Sequence, residues 1–262
     1  MDSSNRRSFV KNVGGIAIGA VAGSGVTRLI SSDEAPLAVP ALPWPYVELD
    51  PIAVAERAYL GYSNGGCMYG AFEGIIGELR TKLGAPFDTF PTTMMKYGGG
   101  GVAGWGSLCG ALNGIAAAIY LLKDSKTGND LISEIFNWYG VEKLPNYRPK
   151  TPKFEIATTV SESQLCHVSV TKWANHTGFK TGSPERAERC AWLTASVAKR
   201  TTELLNQQLS GTYQRTHLTP ANVTLCLQCH GPSGTVANVH ITGGQSNCTS
   251  CHHRHWAGGV EF

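Results

Sequence analysis

Two five-residue motifs near the end of the 262-residue chain carry chemistry in their spacing: CLQCH, from Cys226 to His230, and CTSCH, from Cys248 to His252. Two thiols two residues apart reach both vinyl groups of one haem, and a histidine directly after them turns its imidazole toward the iron as proximal ligand. The motifs therefore predict two haem c, attached through Cys226, Cys229, Cys248 and Cys251, with His230 and His252 as proximal ligands. The same four cysteines also fit a four-cysteine zinc ribbon. That template does not ask for a histidine directly after each pair, yet the chain places one at both positions while holding only eight histidines.

The sixth coordination position of each iron needs its own donor. Methionine occurs only at positions 1, 68, 94 and 95, far from the motifs, whereas histidines flank them. Bis-histidine ligation is expected, with a lower potential than a Met/His pair. The distal candidates are His240, between the motifs, His217, just before the first, and His255. His253 follows a proximal ligand too closely to reach the same iron from the other side. His167 and His176, on or beside a helix, read as structural.

Four cysteines remain: Cys67, Cys109, Cys166 and Cys190, separated by 42, 57 and 24 positions. Spacing alone leaves three readings: small apolar core side chains, two disulfides, or the thiolates of an iron–sulfur cluster. The N-terminus bears on the choice. Arg6-Arg7, then Phe9, Lys11 and a short Ala/Gly-rich apolar run from Val13 to Val26, form a twin-arginine export signal. It exports folded proteins, with Ala20-Val21-Ala22 one cleavage site and an uncleaved anchor the plainer alternative. Haem c is attached after export; a cluster is built before it. Four spare cysteines and a folded-export signal thus fit one iron–sulfur site in a periplasmic protein. Glycines at 65, 66, 70, 106 and 110 would let backbone N–H groups approach its sulfurs.

The elements that must position these residues read as mainly α. Met68, Phe72, Ile75, Ile76, Leu79 and Leu83 form one helical face, and Leu108, Leu112, Ile115, Ile119 and Leu122 another. No charge occurs between Lys96 and Lys123, but the run opens on a glycine-rich loop, which favours a buried helix over a membrane span. Ile132 to Tyr139 reads as a short helix. Ser161 with Gln164 reads as a capping box, opening a helix that Gly178 stops. Ser183-Pro184 starts another that ends near Leu209, with Cys190, Leu193, Val197 and Leu204 on one face. The pairs Arg186/Arg189 and Lys199/Arg200 read as wet helix faces. Prolines make 36–51 an extended lead-in and 144–154 a connector. The last fifty residues lack the aliphatic side chains to order themselves, so the haems are expected to be their core. The expected organisation is a signal and lead over 1–35, a helical domain over 45–208 and a loop-rich dihaem segment over 209–262. A net charge of +3 without a basic cluster argues against nucleic acid.

"GGCMYGAFEGIIGEL", "GGGGVAGWGSLCGALNGIAAAI", "SQLCHVSVTKW" and "ERCAWLTASVA" resemble the family named for its C-GCAxxG-C-C cysteine pattern. With two haem motifs behind it and a twin-arginine signal before it, the chain resembles the split-Soret cytochromes c of sulfate-reducing bacteria over nearly its whole mature length. Met68 stands where the family usually has Ala, and Ser63 where some members carry a further cysteine. The resemblance implies a homodimer with two closely packed haems per subunit, gathered into a four-haem group at one end. It implies bis-histidine ligation with one axial histidine lent by the other subunit, and a [2Fe–2S] centre in the helical part. The expected function is electron transfer with other redox proteins. The rival expectation is a haem-based reductase of nitrite or another oxyanion, which would need an open iron site.

Overall fold

The computed structural model describes residues 40–234, 244–250 and 252. The signal region, His240, Cys251 and His255 lie outside the described residues. Helix α1, Pro51–Leu83, begins where Asp50 accepts a hydrogen bond from the Ile52 amide at 2.9 Å and Pro51 takes the first position. It is a helical hairpin. Gly66 leaves helical geometry at φ 79°, ψ −174°, and Cys67 opens the second arm. A straight helix would hold Arg57 and Glu78 about 30 Å apart; here Arg57 Nε meets Glu78 Oε1 at 2.7 Å. Gly70 and Gly74 let the arms touch, since a Cβ on Gly70 would fall 2.7 Å from the Ala58 carbonyl oxygen.

Helix α2, Gly110–Leu122, follows the glycine-rich loop, and α3, Ser125–Val141, is capped by Asp124, which accepts from the Lys126 and Thr127 amides. The α3 pattern extends further each way than the sequence periodicity indicates. Strand β1, Lys143–Leu144, pairs antiparallel with β2, Thr159–Val160, in the register Lys143↔Val160. Helix α4 is Cys166–Thr177, ended by Gly178 in the left-handed conformation at φ 78°. Helix α5, Pro184–Ser210, starts at the Ser183 cap and ends at Gly211, φ 72°. Helix α6 is Ala221–His230.

The fold is mainly α, as the periodicity indicates. Phe72, Ile75 and Ile76 of α1, Leu112, Ile115 and Ile119 of α2, Leu131 and Ile135 of α3, and Val197, Leu204 and Leu205 of α5 share one core. Trp44 and Leu49 of the lead-in close one side of it. Among the described residues no helix is long and apolar enough to cross a membrane.

Three local expectations give way. Ser161 and Gln164 make no capping box: Ser161 Oγ is engaged with the Tyr139 and Ser163 carbonyls, and Gln164 Nε2 donates to the Phe136 carbonyl. The α4 start is held from outside, because the Cys166 and His167 amides donate to Ser107 and Gly106 of the glycine-rich loop. Arg189 is not on a wet face but fully buried, because its side of α5 packs on α3 and α4 through Tyr139 and Ser169. And CLQCH lies on a helix rather than a loop, as the last five residues of α6.

Candidate metal centres

The four single cysteines meet where helices begin. Cys67 is the first residue after the Gly66 break, Cys109 caps α2, and Cys166 is the first residue of α4. Cys109 and Cys166 are registered by backbone alone. Leu108 and Leu165 form an antiparallel bridge, with the Cys109 amide donating to the Gln164 carbonyl at 2.9 Å and the Cys166 amide to the Ser107 carbonyl at 2.7 Å. Gly101 makes this approach possible: at φ 70°, a Cβ there would lie 2.6 Å from the Ser107 amide and 2.9 Å from Cys166 Cβ. Cys67 Sγ rests on Gly110, whose hypothetical Cβ would be 2.4 Å from the sulfur. Cys190 comes from the second turn of α5.

The four thiols are unbridged, and Cys67, Cys109 and Cys190 are buried. Cys67, Cys109 and Cys166 each feel a neighbouring cysteine. Burial first, then the neighbouring Cys109 and Cys190, pushes both Cys67 and Cys166 up to about 12. Burial also raises Cys109, against hydrogen bonds from the Tyr139 hydroxyl and the Ala111 and Leu112 amides. Such thiols keep their protons until an electropositive group replaces them. The surroundings favour negative charge once it forms: helix N-termini carry the positive end of the backbone dipole, Gly100 offers its N–H to Cys67, and Arg186 and Arg189 flank Cys190. Among the described residues no three His, Cys, Asp or Glu side chains close around one point to hold a single ion. Four thiols at or near these helix starts, three of them buried, amid backbone N–H groups and cations, form a donor set that could hold an anionic iron–sulfur group.

Behind this site sit side chains that sequence reasoning missed. Arg189 Nη2 donates to Ser169 Oγ at 2.8 Å, and Ser169 Oγ lies 3.0 Å from Tyr139 Oη. All three are buried. A signal for Arg189 was present: it directly precedes Cys190 and is followed by nine uncharged residues, which is no solvated face.

The haem-motif segment is built differently. Cys226, Cys229 and His230 occupy the last turns of α6, anchored by the buried Val223. Cys248 opens a 3-10 turn, Cys248–Ser250, and the His252 amide donates to the Cys248 carbonyl at 2.9 Å. The two motifs lean together. Asn222 Nδ2 donates to Asn247 Oδ1 at 2.7 Å, and the Cys226 and Cys248 thiols are within hydrogen-bonding reach. Ser250 Oγ, inside the second motif, donates to the Glu162 carbonyl at 2.8 Å, in the loop leading to Cys166.

His217 has an unusual support. Glu134 of α3 is fully buried and accepts from the Thr216 amide at 3.0 Å, Thr216 Oγ1 at 2.8 Å, the His217 amide at 2.6 Å and Arg200 Nη2 at 3.3 Å. Its Oε1 also lies 2.7 Å from His217 Nδ1. Burial alone raises this carboxyl, but the hydrogen bonds from His217 and Thr216 outweigh it and hold it at about 2. An ionised partner on Nδ1 fixes the proton there and leaves Nε2 with the lone pair, the arrangement common to metal-bound histidines. Asn137 adds a bond to the His217 carbonyl at 3.2 Å. Helix α3 therefore faces both regions: Glu134 and Asn137 hold the segment before the first haem motif, and Tyr139 stands behind Cys109. His167 and His176 are exposed on α4, and neither reaches this arrangement.

Comparison with known proteins agrees with this construction. Residues 69–204 match the family described as "Putative redox-active protein (C_GCAxxG_C_C)". The chain is 35% identical to the split-Soret cytochrome c of Desulfovibrio desulfuricans over 263 aligned residues, 94% of each protein. The solved structure of a D. desulfuricans split-Soret cytochrome c, reported for its novel iron centre, superposes with a TM-score of 0.75 at 37% identity. The superposition covers 80% of this chain and 90% of that one. With its mainly α fold, paired haem motifs and gathered thiols, the chain is an electron-transfer cytochrome and belongs to the split-Soret cytochrome c family.

Proposed function

We propose that this chain is an exported dihaem c-type cytochrome that works as a homodimer in the periplasm. Electrons pass between two haem c, a [2Fe–2S] cluster on Cys67, Cys109, Cys166 and Cys190, and partner redox proteins. The observation that carries this reading is the Ser250–Glu162 contact: the second haem motif is hydrogen-bonded to the loop that delivers Cys166. Two redox sites joined by a hydrogen bond between segments 88 positions apart in the chain suit electron transfer between them.

When bound, these groups supply one-electron oxidation and reduction, and the chain binds and tunes them. Cys226, Cys229, Cys248 and Cys251 anchor the haems, and His230 and His252 are their proximal ligands. Of the distal candidates His217, His240 and His255, His217 is the one within the described residues, and Glu134 holds its ring ready. The juxtaposed Cys226 and Cys248 support haems packed close together. Leu218 and Leu225, 68% and 60% exposed, offer apolar surface for macrocycles to cover. The twin-arginine signal supports periplasmic residence, and export of a folded chain suits a cluster assembled beforehand.

The deciding measurement is cofactor content of the matured protein: pyridine haemochrome, total iron and acid-labile sulfide per 28.0 kDa chain. The expected values are two haems, two further irons and two sulfides. Two haems without sulfide would remove the cluster from the proposal, and colourless protein would remove all of it. Light scattering of the same sample is expected to give the mass of two chains.

A further inference from the structure

CTSCH puts polar side chains at both positions between its cysteines, where CLQCH has Leu227 and Gln228. Both are engaged. Ser250 Oγ reaches the Glu162 carbonyl. Thr249 turns back on Asn247, the residue before Cys248, and donates to its Oδ1 from the amide at 3.2 Å and from Oγ1 at 2.8 Å. A third donor arrives from the helix of the first motif: Asn222 Nδ2 meets the same oxygen at 2.7 Å and Thr249 Oγ1 at 3.4 Å. One amide oxygen thus ties the two motif segments together.

The contact is close to an anchor of each haem. Asn222, Cys226 and Cys229 stand at i, i+4 and i+7 of α6, one face of the helix. Cys226 is one turn from Asn222, about 6 Å along the axis. Asn247 directly precedes Cys248, about 3.8 Å away between Cα atoms. The orientation of the Asn247 amide is dictated by its neighbours. Turning it over would set its NH2 against the Thr249 N–H and against Asn222 Nδ2, both donors. The contact therefore needs an acceptor at 247 and a donor at 222.

We infer that Asn222, Asn247 and Thr249 form a clamp that fixes the spacing of the two haem motifs and so the strength of interaction between their haems. The inference rests on the reading of both motifs as haem anchors. These are positioning residues; none of the three attaches or ligates a haem. Covalent attachment fixes each haem to its own motif, but the distance between the motifs is left to the fold. The interaction of two charged centres weakens as they part, and that of two absorbing centres weakens more steeply. Opening the clamp uncouples the haems without removing either.

The test is Soret circular dichroism of the full-length, haem-loaded protein, beside its pyridine haemochrome content and far-UV spectrum. Two haems held close give a paired positive and negative Soret band, and two that are apart do not. Wild-type protein is expected to show the pair. In Asn222→Ala and Asn222→Asp the pair should be lost with both haems retained. Alanine suits a helix and aspartate suits its first turn, so neither change harms α6 itself. Asn247→Asp keeps the acceptor oxygen and should keep the pair, a contrast that general loosening of the segment would not produce. If the 222 variants fail to take up haem, Thr249→Val decides: it preserves shape, removes the hydroxyl that meets both asparagines, and should weaken the pair. A folded 222 variant, or failing that Thr249→Val, with two haems and the wild-type Soret pair overturns the clamp while leaving the haem motifs standing. So does loss of the pair in Asn247→Asp as complete as in Asn222→Asp, or wild-type protein with two haems and no pair. Wild-type protein with fewer than two haems overturns the dihaem reading and the clamp with it.

Discussion

Replacing Gly114 with alanine tests the contact that brings Cys67 and Cys109 to one place. Gly114 lies in α2, and its missing Cβ would point at the second arm of α1, 2.4 Å from the Met68 carbonyl oxygen and 3.2 Å from Met68 Cα. Real Cβ atoms essentially never approach closer than 3.0 Å, so the helices must part by at least 0.6 Å, the difference between 3.0 and 2.4. Both sides of the contact are backbone, so no side chain can rotate away. Overpacking of this kind costs about 1–3 kcal/mol, and this geometry belongs at the upper end. Alanine returns about 1 kcal/mol through its better helix propensity. The net loss is about 2 kcal/mol, a fall in Tm of about 4–8 °C for a protein of this size. Because Cys67 is one residue from Met68 and Cys109 caps the helix bearing Gly114, the variant should also lose non-haem iron. Gly128→Ala is the control: its Cβ would meet Ile119 and Tyr120 at an ordinary 3.5 Å, and it should be neutral or stabilising by up to about 1 kcal/mol. Thermal unfolding by far-UV circular dichroism, beside iron analysis, reads both. A Gly114→Ala protein that melts at the wild-type temperature with full iron content would refute the argument that glycine sets the α1–α2 spacing.

Replacing both Cys226 and Cys229 with serine should reduce the pyridine haemochrome yield from two haems per chain to one, leaving the second motif loaded. Glu134→Gln keeps the shape of the buried side chain but removes the charge facing His217 Nδ1. The ring becomes a weaker donor, so one haem midpoint should rise in a spectroelectrochemical titration while the other holds. Changing Arg6 and Arg7 together to lysine should leave the chain in the cytoplasmic fraction, with little or no haem-stained protein in the periplasm.

The two haem motifs were legible because the chemistry they spell out is local. Two thiols and a histidine within five residues specify a haem site whatever the surrounding fold, and a missing methionine narrows the axial choice. Helix type was legible for the same reason: the apolar periods at Met68–Leu79 and Leu112–Leu122 need only a neighbouring surface to bury them, and those residues do form the core. What periodicity could not convey was where a helix starts when its start is held by another segment. Ser161 and Gln164 carry capping-box types, yet α4 opens four residues later because the glycine-rich loop supplies the partners for Cys166 and His167.

By itself the sequence determined the α class and which four cysteines were left over once the two Cys-x-x-Cys-His motifs were set aside, since each depends on residue type and short-range spacing. Only the tertiary structure decided what those cysteines face. Whether a charged residue such as Arg189 or Glu134 meets water or a buried partner depends on which helix faces pack together. That is a sum of contacts between residues tens of positions apart, and no local pattern encodes it. The gathering of the four thiols, the carboxylate behind His217 and the burial of Arg189 all belong to that second kind.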